Sequence, residues 1–132
     1  MPPKMTDEEF LTELETCRLP AAEFPHAGHL RAAYLYLRAD AFPQAAARMC
    51  TSIRNYARAL GKPEKYHETV TIAFMALVQK HLRLRGDGGG WQGFLAQNPE
   101  LVRKDALLAY YPQAVLESAE ARATFVLMPL KS

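Results

Sequence analysis

The chain has 132 residues, the size of one ordinary domain, and 49% of them are hydrophobic against 23% charged. That balance excludes an intrinsically disordered chain and allows a core to be buried without disulfides or a structural metal. The 16 basic and 14 acidic residues leave a net charge of +2 with no long run of one sign, which speaks against nucleic acid as a partner.

The opening residues, Met1 to Glu9, contain no apolar signal segment, and nowhere does an apolar run approach the roughly 20 residues of a membrane span. The expected setting is cytoplasmic, without membrane contact. Thr6 followed three residues later by Glu9 is a capping box, and Phe10, Leu11, Leu14 and Cys17 recur at helical spacing, predicting a first helix from about Asp7 to Arg18. Pro20 and Pro25 bracket a connector. Leu30, Ala33, Tyr34 and Leu37 then mark a second helix from about His26 to Ala39.

Pro43 sits where first-turn prolines sit, and Ala46, Met49, Cys50, Ile53, Ala57 and Leu60 trace a third helix that stops at Gly61. Pro63 opens the fourth, whose apolar lines Tyr66, Val70, Ala73, Leu77 and Thr71, Phe74, Val78 are wide enough to predict the central, most buried helix. Lys80, Arg83 and Arg85 near its end complement the helix dipole.

The run Gly86-Asp87-Gly88-Gly89-Gly90 lacks the Gly-Lys-Ser/Thr ending of a phosphate loop and is expected to be a flexible link. Trp91, Phe94 and Leu95 suggest a short helical turn. Pro99 begins a further helix that carries Leu101, Val102, Leu107, Leu108 and Tyr111 up to Pro112. The tail from 123 to 130, with Phe125, Val126, Leu127 and Met128 in succession, reads as an apolar strap packed on the bundle or on a second copy, which would make a homodimer. The fold class is therefore all-α: one domain over residues 1–132, a bundle of four to six helices with a short extended C-terminal tail. Cys17 and Cys50 lie on apolar helix faces without a C-x-x-C neighbour and are expected to be buried free thiols. Tyr34, Tyr36 and Tyr56 are expected at packing and rim positions, and Met49, Met75 and Met128 as core filler.

The histidines carry the chemical interest. His26 and His29 extend the apolar stripe of the second helix by one turn, and His67 falls on the line of Thr71, Phe74 and Val78. Short links between the second, third and fourth helices imply alternating directions, so the second and fourth start at one end of the bundle. His26, His29 and His67 should then share that end with Arg54, Tyr66 and Glu68, while His81 belongs to the far end. The positive ends of the helix dipoles favour neutral imidazoles there.

The segments F-P-H-A-G-H-L-R-A-A-Y-L-Y-L at 24–37 and E-K-Y-H-E-T-V-T at 64–71 resemble a family of small bacterial helical proteins of unassigned function. The resemblance covers most of the chain, extending to I-R-N-Y at 53–56, A-Y-Y at 109–111 and A-R-A-T-F-V at 121–126. It implies the helical fold and the pairing of the two histidine motifs, and no substrate.

Three readings of the cluster follow. In the first, His26, His29 and His67 are nitrogen ligands of a divalent transition metal ion, with Glu68 or Glu23 adding a carboxylate. The E-x-x-H pattern occurs at Glu23 to His26 and again at Glu64 to His67, but a dinuclear bundle also needs two further glutamates, so the expectation is a mononuclear site. In the second, His29 or His67 acts as general acid or base on a small-molecule ligand. Arg54, or alternatively Arg31 or Arg58, holds its anionic group and Tyr66 donates a hydrogen bond, as in a lyase, hydratase or isomerase. In the third, the histidines are structural and the protein is an interaction or regulatory module that uses Tyr110, Tyr111 and the Phe125 to Met128 strap.

Overall fold

The computed structural model describes residues 5–103 and 105–127. The first helix, α1 (Asp7–Glu15), starts where the capping box places it: the Glu9 amide donates to Thr6 Oγ1 at 3.1 Å and the Thr6 amide to Glu9 Oε1 at 3.0 Å. It ends three residues earlier than its apolar periodicity suggests, because Cys17 adopts φ 61°, and the Arg18 and Leu19 amides turn back to the Glu13 carbonyl. The reversal drops Leu19 into the core.

Helices α2 (His26–Ala39) and α3 (Phe42–Ala59) follow the expected spans closely. They run antiparallel, since Tyr36 near the end of α2 meets Ser52 at 2.7 Å while Phe24, just before its start, packs on Tyr56 with ring centres 5.1 Å apart. Pro63 opens only a 3-10 turn, Pro63–Lys65, and α4 (Glu68–Arg85) starts later, with His67 as its N-cap. Helix α4 runs parallel to α2: His26 packs edge-on against Phe74, and Tyr34 donates to the Asp87 carbonyl at 2.9 Å. The alternating order inferred from the short links is the one observed.

The centre of the bundle is α2 rather than α4. Leu30, Ala32, Ala33, Tyr34 and Tyr36 are all at most 1% exposed, whereas Ala76, Lys80 and Leu84 form an exposed line along α4. The physical reason is side-chain size: two consecutive alanines let α3 and α4 close on α2, and the tyrosines on either side of Leu35 then reach polar partners at the rim. Tyr36 donates to Glu15 at 2.8 Å, and burial raises its phenol pKa well above the usual value.

The glycine-rich link is a packed turn, not a loose one. A Cβ on Gly93 would lie 2.0 Å from the Gly88 carbonyl oxygen, and one on Gly88 would lie 2.3 Å from the Phe94 amide nitrogen. Only glycines allow this approach. It seats α5 (Trp91–Gln97) so that Trp91 and Phe94 pack on Tyr34.

The segment from Pro99 to Pro112 is not one helix. It forms two 3-10 turns, Pro99–Val102 and Ala106–Ala109, separated by an extended Arg103. Two short helices that carry little apolar periodicity close the described chain, α6 (Gln113–Leu116) and α7 (Ala119–Ala123), the latter capped by Ser118. Beyond them Thr124 to Val126 crosses the start of α4, where the Thr69 hydroxyl donates to the Thr124 carbonyl at 2.7 Å and accepts from the Val126 amide at 3.0 Å. The strap therefore packs on the bundle through these residues; its members Met128 to Leu130 lie outside the described residues. Among the described residues there is no strand, and no helix is long and apolar enough to cross a membrane. Cys17 and Cys50 are free thiols, half-buried and buried.

Candidate functional site

Each histidine of the predicted layer is bonded to a different stretch of backbone. His67 Nδ1 accepts from the Val70 amide at 3.1 Å, capping α4, and its Nε2–H then donates to the Leu116 carbonyl at 2.6 Å. Both ring nitrogens are used. His26 Nε2–H donates to the Leu101 carbonyl at 3.0 Å, and His29 Nδ1–H to the Pro25 carbonyl at 3.1 Å, with its ring stacked on Phe24 at 3.9 Å. Burial lowers the pKa of His29, partly offset by the bond to Pro25, with His26 adding a smaller lowering effect.

The helices share an end, as expected, but they are staggered. His26 meets Phe74, seven residues past His67, which is roughly 10 Å along a helix axis at 1.5 Å per residue. Helix α4 starts well ahead of α2, so His67 lies beyond the layer of His26 and His29. Among the described residues no three His, Cys, Asp or Glu side chains form a group that could hold a metal ion, and His26, His29, His67 and Glu68 are not brought together as one ligand set.

Of the catalytic candidates, Tyr66 and Arg54 do meet. The Tyr66 hydroxyl donates to Glu68 Oε1, Arg54 Nη2 reaches the same oxygen at 3.3 Å, and the guanidinium lies 4.9 Å from the Tyr66 ring centre. This pairing leaves neither group free: Glu68 neutralises the cation, and burial raises the Tyr66 phenol pKa far above its ordinary value. The adjacent Cys50 thiol is likewise pushed up by burial, the wrong direction for a nucleophile. His29 is packed against Phe24 and, among the described residues, makes no hydrogen bond to this pair. The Tyr110 and Tyr111 surface divides: Tyr111 is buried and donates to the Val126 carbonyl at 2.7 Å, while Phe125 and Leu127 stay exposed beside an apolar groove that Tyr110 also lines.

A larger space than that groove lies elsewhere. A cleft of about 640 Å³ is bordered by the start of α1, the first turns of α2 and the glycine turn, with Phe10, Gly28, Arg31, Gly90 and Trp91 in its wall. Arg31 Nη2 donates to the Met5 carbonyl at 3.0 Å and to Asp7 at 2.8 Å, and the guanidinium rests over the Phe10 ring at 4.6 Å. Its Nε is buried and, among the described residues, has no acceptor. The sequence signal for this residue is an arginine between Leu30 and Ala32 on a helix whose neighbouring turns are alanine, glycine, leucine and tyrosine. Asp7 and Glu23 also border the space.

The elements that frame this cavity are distant in sequence, and only the fold joins them. No family model, no curated protein and no solved structure matches the chain.

Proposed function

We propose that the protein is a small-molecule-binding helical bundle whose ligand is a singly charged organic acid held in the Arg31 cavity. The observation that carries this reading is that Arg31 stands in the wall of an open space with a buried Nε that has no acceptor among the described residues. An unsatisfied buried donor costs about 1–3 kcal/mol, which an incoming carboxylate oxygen would recover. The volume falls in the range of small-molecule sites, and Phe10 and Trp91 offer an apolar wall for the body of the ligand. Asp7 and Glu23 oppose a second negative charge, so a monocarboxylate fits better than a phosphate.

Trp91 is the only tryptophan and reports directly on the cavity. Benzoate or hexanoate is expected to change its fluorescence and to raise Tm, by an amount equivalent to about 2.7 kcal/mol at a hundredfold excess over Kd, while inorganic phosphate does neither. Arg31→Met should abolish both responses. Asp7→Asn, which breaks the same ion pair but spares Nε, should bind at least as tightly. No response to either acid, or an equal response in Arg31→Met, overturns the proposal.

A further inference from the structure

The histidine assigned to the far end of the bundle, His81, has the surroundings that the predicted cluster lacks. Asn98 is fully buried, and its Nδ2 donates to the Phe94 carbonyl at 2.7 Å, which fixes the amide so that Oδ1 faces His81. His81 Nδ1 lies 2.7 Å from that oxygen and 3.2 Å from Glu100 Oε1. Both neighbours are acceptors, so Nδ1 carries a hydrogen, and in the neutral form of the ring Nε2 holds the lone pair. Arg85 Nη1 in turn donates to Asn98 Oδ1 at 3.3 Å and to Glu100 Oε1 at 3.1 Å, holding both. An imidazole oriented at one nitrogen by a carboxylate, with the other nitrogen unprotonated, is the arrangement of a general base.

The ring borders a cavity of about 330 Å³ that shares no residue with the Arg31 cavity and is walled by Leu101, Ala109 and Tyr110 together with the charged Glu100, Arg103 and Asp105. Tyr110 supplies a second function. Its hydroxyl oxygen accepts from Lys80 Nζ at 3.1 Å and its hydrogen has no acceptor among the described residues; the Tyr110 side chain borders both this cavity and the apolar groove that Lys80 lines.

We propose that this second cavity is an acid–base site for small enolisable aldehydes or ketones. His81 Nε2 removes a proton from the carbon next to the carbonyl. The electrons of that C–H bond form the C=C bond of an enolate, whose oxygen takes a hydrogen bond from the Tyr110 hydroxyl beside the Lys80 ammonium. The protonated His81, stabilised by Glu100, returns a proton to the same carbon, so the net reaction is exchange of the α-proton and consumes no other reagent. Glu100 and Asn98 are positioning residues that fix the tautomer.

The test is proton NMR in deuterated buffer with 2-butanone, acetoin and dihydroxyacetone as probes, following loss of the α-proton signals. At least one probe is expected to exchange faster than in buffer with matched albumin, His81→Gln to lower that rate about 10²–10⁴-fold, and Tyr110→Phe to lower it with Tm unchanged. Glu100→Gln should reduce kcat with little change in KM, the mark of a positioning role. Absence of protein-dependent exchange with all three probes overturns the proposal, as does exchange that persists in both folded His81→Gln and Tyr110→Phe.

Discussion

At the scale of single residues, a histidine's role is decided by what its second nitrogen touches. His67 has none to spare, because one nitrogen caps α4 and the other holds the chain at Leu116. His29 is different: its Nδ1 is bonded and its ring stacked, but burial opposes charge and keeps its pKa below the ordinary 6.5. The unfolded chain therefore takes up a proton at higher pH than the folded protein does, and stability falls as pH drops below about 6.5 toward the folded-state pKa. Urea unfolding at pH 7.5 and pH 5.5 should show that loss. It should be smaller in His29→Gln, which keeps a donor at the site but cannot titrate.

At the scale of elements, the boundaries are set by backbone chemistry. The capping box starts α1, a left-handed Cys17 ends it, and an imidazole cap delays α4 past the proline that seemed to open it. The glycine turn offers the sharpest test, because two of its glycines are required for different reasons, one for space and one for backbone conformation. Gly93 faces the Gly88 carbonyl with no room for a methyl group, while Gly89 has φ 78° and nothing within 4 Å of a Cβ. Gly93→Ala should therefore cost about 1–3 kcal/mol or more through overpacking against backbone, and should also perturb Trp91 fluorescence. Gly89→Ala should cost only the left-handed conformation, about 1–2 kcal/mol, and leave Trp91 unchanged. Equal effects of the two substitutions on Trp91 would contradict this account.

For the whole molecule, the C-terminal strap is the feature that ties the last helices to the bundle. Thr69 is fully buried and its one hydroxyl serves both the Thr124 carbonyl and the Val126 amide, with Tyr111 holding the Val126 carbonyl. Replacement by an isosteric valine removes both bonds and leaves their backbone partners unpaired. Thr69→Val is expected to destabilise the protein by about 1–3 kcal/mol and to speed hydrogen exchange at Val126 far more than at Leu30 in the core of α2. Uniform exchange changes across the molecule would show that the strap and bundle unfold as one unit.

How much of this was legible in the residues depends on whether the signal was local. Periodicity and capping chemistry sufficed for α1 to α4 and for the inward histidines, since a helix's apolar stripe and its first-turn partners lie within a few residues of each other. The 3-10 turns after Pro99 and the short α6 and α7 carried too few turns for a period to register. The same limit applied to the site. That His26, His29 and His67 lie toward one end followed from link lengths, but the roughly 10 Å stagger between α2 and α4 is set by side-chain packing such as His26 on Phe74, and no spacing in the chain encodes it. Arg31 meets Trp91 across the cavity, and His81 meets Glu100, only after the glycine turn folds α5 back against α2 and carries the following segment beside α4. The residues by themselves determined a helical bundle with polar groups turned inward at its ends; tertiary packing alone decided which of those groups are left with an unused donor or lone pair, because satisfaction of a hydrogen bond depends on the partner that arrives from a distant part of the chain.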